Sequence, residues 1–255
     1  MKGSNRIPEL DGLRGLACLL VVSWHYFGAT TQVTPSTFAA STRAIAGPWG
    51  LSGVDLFFVL SGFLIGGILQ DHRESPRYYR TFYTRRVCRI FPVYYSVIAC
   101  LLLALIFSLE KHFPGMSEWL LKDLMPLASY LTFTQNFWMA AAMVSNGGGR
   151  WLAMTWSVAV EEQFYLLFPM VARNVSIRSL PLLMVGAIIV APLLRGIVDA
   201  HGWWSYALLP CRVDCLGVGV LAACLVRRRQ AREYLSGHRS SRGACSERRD
   251  NLHCY

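Results

Sequence analysis

The sequence predicts an all-α fold, a polytopic transmembrane helix bundle with about six or seven apolar segments, and three observations point there. In a chain of 255 residues, 54% are hydrophobic and only 16% charged, with a mean hydropathy of +0.36. That is too apolar for an ordinary soluble domain of this size. The apolar residues gather in runs close to the length of about 20 that crosses a hydrocarbon core. Of the 25 basic residues 22 are arginines, grouped at the ends of those runs, where cations meet lipid headgroups and fix orientation. The net charge of +10 is therefore a membrane signal, and nucleic acid is excluded as a partner.

The clear runs are Leu10–Phe27, Trp49–Leu69, Ile90–Leu109, Trp151–Val171, Leu180–Val198 and Trp203–Val226. A seventh, Leu120–Met139, is interrupted by Lys122, Asp123, Pro126, Gln135 and Asn136. The loop Asp71–Arg89 carries Arg73, Arg77, Arg80, Arg85, Arg86 and Arg89, whereas Gly28–Pro48 carries only Arg43. Arginine-rich short loops stay in the cytoplasm, which puts the first loop and the N-terminus with Lys2 and Arg6 inside. Arg173 and Arg178, and then Arg227, Arg228, Arg229 and Arg232, place two further helix ends inside. These assignments agree only if Leu120–Met139 does not cross, so it is expected to be a re-entrant or surface segment. A signal peptide is disfavoured for the first run, because Asp11 and Arg14 interrupt its start and more spans follow. Two regions are expected, an incomplete transmembrane domain over 1–226 and a disordered arginine-rich tail over 227–255. The tail holds eight arginines and three acids without apolar periodicity, the composition of a disordered segment.

Six of the eight cysteines (Cys18, Cys88, Cys100, Cys211, Cys215 and Cys224) lie in or beside apolar runs, without the spacing of a metal site or a disulfide framework. No metal and no bound cofactor is expected. Ionisable groups inside spans are costly and mark candidate sites. Arg14 and His25 are eleven residues apart, about 16 Å of rise and about 20° of rotation on a helix, hence on one face. Asp11 can pair with Arg14 one turn away. Two readings of His25 are open, an interfacial residue beside Trp24 and Tyr26 or a group facing a cavity. Asp55 falls in the outer half of the second run, with His25 its nearest cationic candidate by depth. Gly62 and Gly66 have the spacing that lets membrane helices approach closely, and Ser61 beside them reads as packing. Glu161 and Glu162 point about 100° apart, so one general base or orienting acid is expected there rather than a dyad. Arg212 and Asp214 read as a structural ion pair.

These residues belong to four blocks: Arg6 to Gly15 (RIPELDGLRG) with His25, Gly53 to Ile65 (GVDLFFVLSGFLI), Phe82 to Pro92 (FYTRRVCRIFP) and Thr155 to Tyr165 (TWSVAVEEQFY). In order, spacing and composition they resemble the acyltransferase-3 family of membrane acyltransferases, over about residues 5 to 226. The resemblance implies a multi-pass protein of the bacterial inner membrane with a cytoplasmic N-terminus. It implies transfer of an acyl group, acetyl above all, from acyl-CoA as co-substrate to a hydroxyl of a carbohydrate or glycolipid acceptor. Its arginine and histidine, separated by ten residues, match Arg14 and His25, and its Arg-x-x-Arg pair matches Arg86 and Arg89. On this reading Arg14, Arg86 and Arg89 hold the donor's phosphates. His25 is the base on the acceptor hydroxyl, oriented by a carboxylate such as Asp55 or Glu161. Family members carry more spans than this chain, so a C-terminally truncated copy is expected. A transporter with a relay through His25, Asp55 and Glu161 is the rival reading, as is an inactive remnant; a transporter would carry an internal repeat, and none is visible.

Overall fold

The computed structural model of the chain describes residues 8–30, 37–107, 124–142, 152 and 154–250. Lys2, Arg6, Ile7, Leu120–Asp123, Trp151 and Cys254 lie outside the described residues. The described chain is helical, without strands: α1 (Pro8–Thr30), α2 (Thr37–Asp71), α3 (Tyr78–Ile106), α4 (Leu127–Leu131), α5 (Gln135–Ala141), α6 (Thr155–Asn174), α7 (Leu180–Ala200), a 3₁₀ turn Ser205–Ala207, and α8 (Leu209–Asp250). Among the described residues four stretches are long and apolar enough to cross a membrane: Ser52–Asp71, Tyr78–Ala104, Leu180–Ala200 and Leu209–Arg229. The chain is a multi-pass membrane protein. The expected six spans are thus met by four on length and composition. Neither α1 nor α6, which carries Glu161, Glu162 and Gln163 in mid-helix, is among them.

Several expected boundaries shift. The Gly28–Pro48 loop shortens, because α1 reaches Thr30 and α2 starts at Thr37. The Asp71–Arg89 loop shortens too, since α3 begins at Tyr78. The cause is burial: Tyr78 and Phe82 are core residues, and Tyr78 and Tyr83 donate hydrogen bonds to the carbonyls of Pro169 and Leu166 on α6. The last run opens later than expected, at Leu209, behind the turn that follows Gly202 at φ 75°. Beyond Val226 the helix continues to Asp250. The segment from Arg227 to Leu235 is rich in good helix formers (Arg, Gln, Ala, Glu and Leu) and holds no proline to stop a helix already under way.

Leu127–Ala141 holds no helix long enough to cross a membrane. It forms two short helices broken at Phe133, which has φ 55°. Gln135 and Asn136, apparent interruptions of an apolar run, are fully buried. The Gln135 amide donates to the Thr155 carbonyl at 3.0 Å, and Asn136 and Gln163 exchange amide hydrogen bonds. The segment thus docks on the first half of α6 through its polar groups.

The centre of the bundle is a set of three parallel helices. Along α2 and α8 the partners keep one offset: Phe58 meets Arg212, Gly62 meets Leu216, Gly66 meets Val220 and Gln70 meets Cys224. Along α2 and α6, Phe58 meets Trp156, Ser61 meets Glu161 and Arg73 meets the carbonyls of Arg173 and Val175. A Cβ at Gly62 would collide with the Leu216 backbone, and one at Gly219 with the Val59 backbone, so the close contact expected of Gly62 and Gly66 is made with α8. The antiparallel helices α1, α3 and α7 pack around these three. As a result the N-terminus of α1, the C-termini of α2 and α6, the N-termini of α3 and α7 and Arg227 of α8 share one arginine-rich end. There Arg227 pairs with Asp71 at 2.5 Å, and Arg228 donates to the carbonyls of Ile177 and Arg178.

Candidate active site

On α1, Arg14 is half-buried and lies 3.6 Å from Asp11, the expected pair one turn apart. His25 is exposed on the bundle surface, and its Nδ1 lies 2.8 Å from the Val21 carbonyl. A carbonyl only accepts, so Nδ1 carries the proton. In the neutral ring Nε2 is then left with its lone pair.

The packing of α1 against α2 sets depth. Gly53 sits against Ala17, Leu20 and Val21, and the two helices are antiparallel, joined by residues 31–36. Ser61, eight residues beyond Gly53, therefore lies about 12 Å from the level of Leu20 towards the N-terminus of α1, within a turn of Arg14, at 1.5 Å per residue. His25 lies about 8 Å the other way from Leu20. The groups expected to orient His25 are consequently elsewhere. Glu161, held at the level of Ser61, is about 20 Å away along the bundle, and the partner of His25 Nδ1 is the Val21 carbonyl.

Asp55 does not face His25 either. It forms an ion pair with Arg212 of α8, whose guanidinium lies 4.3 Å from the Tyr206 ring and 5.5 Å from that of Phe58. The expected Arg212–Asp214 pair is not made, because residues two apart on a helix point in nearly opposite directions. Asp214 turns instead to Arg195 of α7, at 2.8 Å.

What does come together, at the level of Arg14, is a polar cluster between α2, α3 and α6. The Ser61 hydroxyl donates to Glu161 Oε1, and the Tyr165 hydroxyl donates to Ser61 Oγ at 3.2 Å. The Arg86 guanidinium lies over the rings of Tyr165 and Phe82, at 5.2 and 5.7 Å. Arg86 and Arg14 both lie within electrostatic reach of Glu161. Glu162 turns away from Glu161 as adjacent helix positions require; it too feels Arg86, and its Oε1 is buried without a hydrogen bond. Arg89, one turn beyond Arg86, is exposed. Towards the arginine-rich end a cavity of about 90 Å³ opens between α2 and α3, lined among others by His72, Tyr78, Phe82, Arg85 and Arg86. The sequence placed Arg14, Arg86 and Glu161 as separate candidates, and the fold joins them. It did not single out Ser61 and Tyr165 as site residues, although both lie in the blocks that carry the resemblance.

A helical membrane bundle with arginines and acids gathered inside it, and a histidine on the same helix as one of those arginines, fits the pattern of the four blocks. The chain belongs to the acyltransferase-3 family, whose acyltransferase domain matches residues 7–243. Similar proteins include the peptidoglycan O-acetyltransferase OatA of Listeria monocytogenes, 32% identical over 64% of this chain and 24% of that protein. Others are the putative peptidoglycan O-acetyltransferase YrhL of Bacillus subtilis, 32% identical over 64% and 23%, and the O-acetyltransferase OatA of Staphylococcus aureus, 31% identical over 65% and 24%. The chain spans about a quarter of the length of these curated relatives. No solved structure matches it.

Proposed function

We propose that this chain is a membrane O-acyltransferase unit that moves an acetyl group from acetyl-CoA to a hydroxyl of a cell-wall sugar polymer, with His25 as the base. The observation that carries this reading is the state of His25: Nδ1 is tied to its own helix and Nε2 is left with a lone pair for an acceptor hydroxyl. In the reaction Nε2 takes the hydroxyl proton as the oxygen attacks the thioester carbonyl. The tetrahedral intermediate collapses with loss of the thiolate, the imidazolium returns the proton to sulfur, and the products are an O-acetyl ester and free CoA. No serine or cysteine nucleophile enters. Peptidoglycan is the acceptor class that the names of the similar proteins support. The donor's phosphates bind towards the arginine-rich end, on Arg86 and Arg89 with Arg14 beside them, and its flexible arm runs along α1 towards His25. This end faces the cytoplasm of a bacterial inner membrane, because short arginine-rich connections are retained there.

His25→Ala should lower acetyl transfer by at least about 10²-fold, as expected for loss of a positioned base, while acetyl-CoA affinity stays within a few-fold. His25→Gln should be no better, since an amide cannot take the proton. Near-normal transfer by the alanine variant in membranes would remove His25 from the chemistry and return it to an interfacial role.

A further inference from the structure

We infer that Glu161 is a positioning residue for Arg86, acting through Ser61 and Tyr165, and not the group that orients His25. The inference rests on the reading of Arg86 as a donor-binding arginine. The hydrogen bonds have one polarity, Tyr165 to Ser61 to Glu161. A serine hydroxyl has one proton to give, so Ser61 accepts from Tyr165 and passes its own proton on to the acceptor oxygen of Glu161 that ends the chain. This fixes the Tyr165 ring from its hydroxyl end. The face of the ring is one of the two surfaces on which the Arg86 guanidinium lies, Phe82 being the other.

An arginine laid against rings uses its faces for stacking and leaves its in-plane N–H groups for hydrogen bonds. Among the described residues none of the Arg86 N–H groups donates a hydrogen bond, although the side chain is half-buried. Five donors are thus held in one orientation beside a cavity whose wall they share with Arg85 and His72. The chemistry that suits such a fork is a phosphate or pyrophosphate group. A free arginine would lose much side-chain entropy on taking up that geometry, and the ring platform removes most of that cost beforehand.

The test is carried out on the full chain in nanodiscs, measuring acetyl-CoA affinity by equilibrium binding and acetyl transfer at saturating acetyl-CoA. Glu161→Ala and Ser61→Ala should each weaken acetyl-CoA binding about five- to tenfold and leave the saturated rate within about twofold, from loss of preorganisation alone. Glu161→Gln should bind almost as the parent does, because the amide oxygen still accepts from Ser61. In the Arg86→Ala background, Glu161→Ala should add nothing further. A saturated rate that falls tenfold or more in Glu161→Gln would assign Glu161 to the chemistry and overturn the inference, as would independent, additive effects of Glu161 and Arg86. If Arg86→Ala itself leaves acetyl-CoA affinity unchanged, the donor-site reading fails instead. Ser61→Ala, which removes one hydroxyl and no charge, keeps the test decisive should Glu161→Ala fail to fold.

Discussion

Asp55 and Arg212 illustrate how a single contact can reassign a residue. By depth alone His25 was the nearest cation to Asp55, but depth takes no account of which face of α2 the carboxylate occupies. The register between α2 and α8 brings Arg212 to it. Arg212 is only 5% exposed in its side chain against 41% for Asp55, so the guanidinium is the partner that cannot stand alone. Asp55→Ala should cost about 3 kcal/mol, the lower end for breaking a buried pair, and the loss should appear as a lower unfolding temperature in detergent with acetyl-CoA affinity unchanged. Replacing both partners, Asp55→Leu with Arg212→Met, should recover most of that loss, since no buried charge is then left unpaired. A double variant no more stable than Asp55→Ala would mean that the pair does not hold α2 to α8. The same reasoning explains Glu161: its chemistry was legible in the sequence, and its role depends on which hydroxyl meets it.

Between helices the decisive atoms are the ones that glycine lacks. Gly62 and Gly219 let the backbones of α2 and α8 touch, whereas Gly12 on α1 faces open space. Gly62→Leu should therefore separate α2 from α8 and lower the unfolding temperature sharply, a small-to-large change against backbone that cannot move aside. Gly12→Ala should be neutral or stabilising by up to about 1 kcal/mol, through helix propensity alone. Equal effects of the two substitutions on the unfolding temperature would show that the contact between the helices is loose. The spacing of Gly62 and Gly66 announced a close approach in the sequence, but not the helix approached, because a small-residue motif records distance and not partner.

For the molecule as a whole, apolar length and composition carried most of the architecture: the helical class and the order of the long helices. A reporter fused after Arg80 should read as cytoplasmic and one fused after Thr37 as external; the opposite result at either point would invert the protein and move the proposed donor site outside. What escaped the sequence was long-range register. The offsets that join α2 to α6 and α8 arise from side-chain fit at Ser61, Phe58 and the glycines, and no local pattern encodes a partner a hundred residues away. Helix boundaries escaped for a related reason, since Tyr78 and Phe82 look like loop aromatics until α6 is there to bury them. For the candidate site, the sequence offered the residues one by one and did not show which of them the fold brings together. His25 and Glu161 sit at different levels of the bundle, and Ser61, read as packing, links two of its polar groups.

The three parallel central helices also set an order of events during synthesis. Asp55 and Ser61 are made and inserted on α2 long before α6 brings Glu161 and α8 brings Arg212. Through that interval α2 sits in the bilayer with a carboxylate that has no partner and a glycine face that has no neighbour. Both conditions end only when α8 arrives and completes the offset along Gly62, Gly66 and Gln70. Helix α8 thus completes the contacts of α2, and a nascent chain halted before Arg212 would hold the Asp55 carboxylate in the bilayer without its cation.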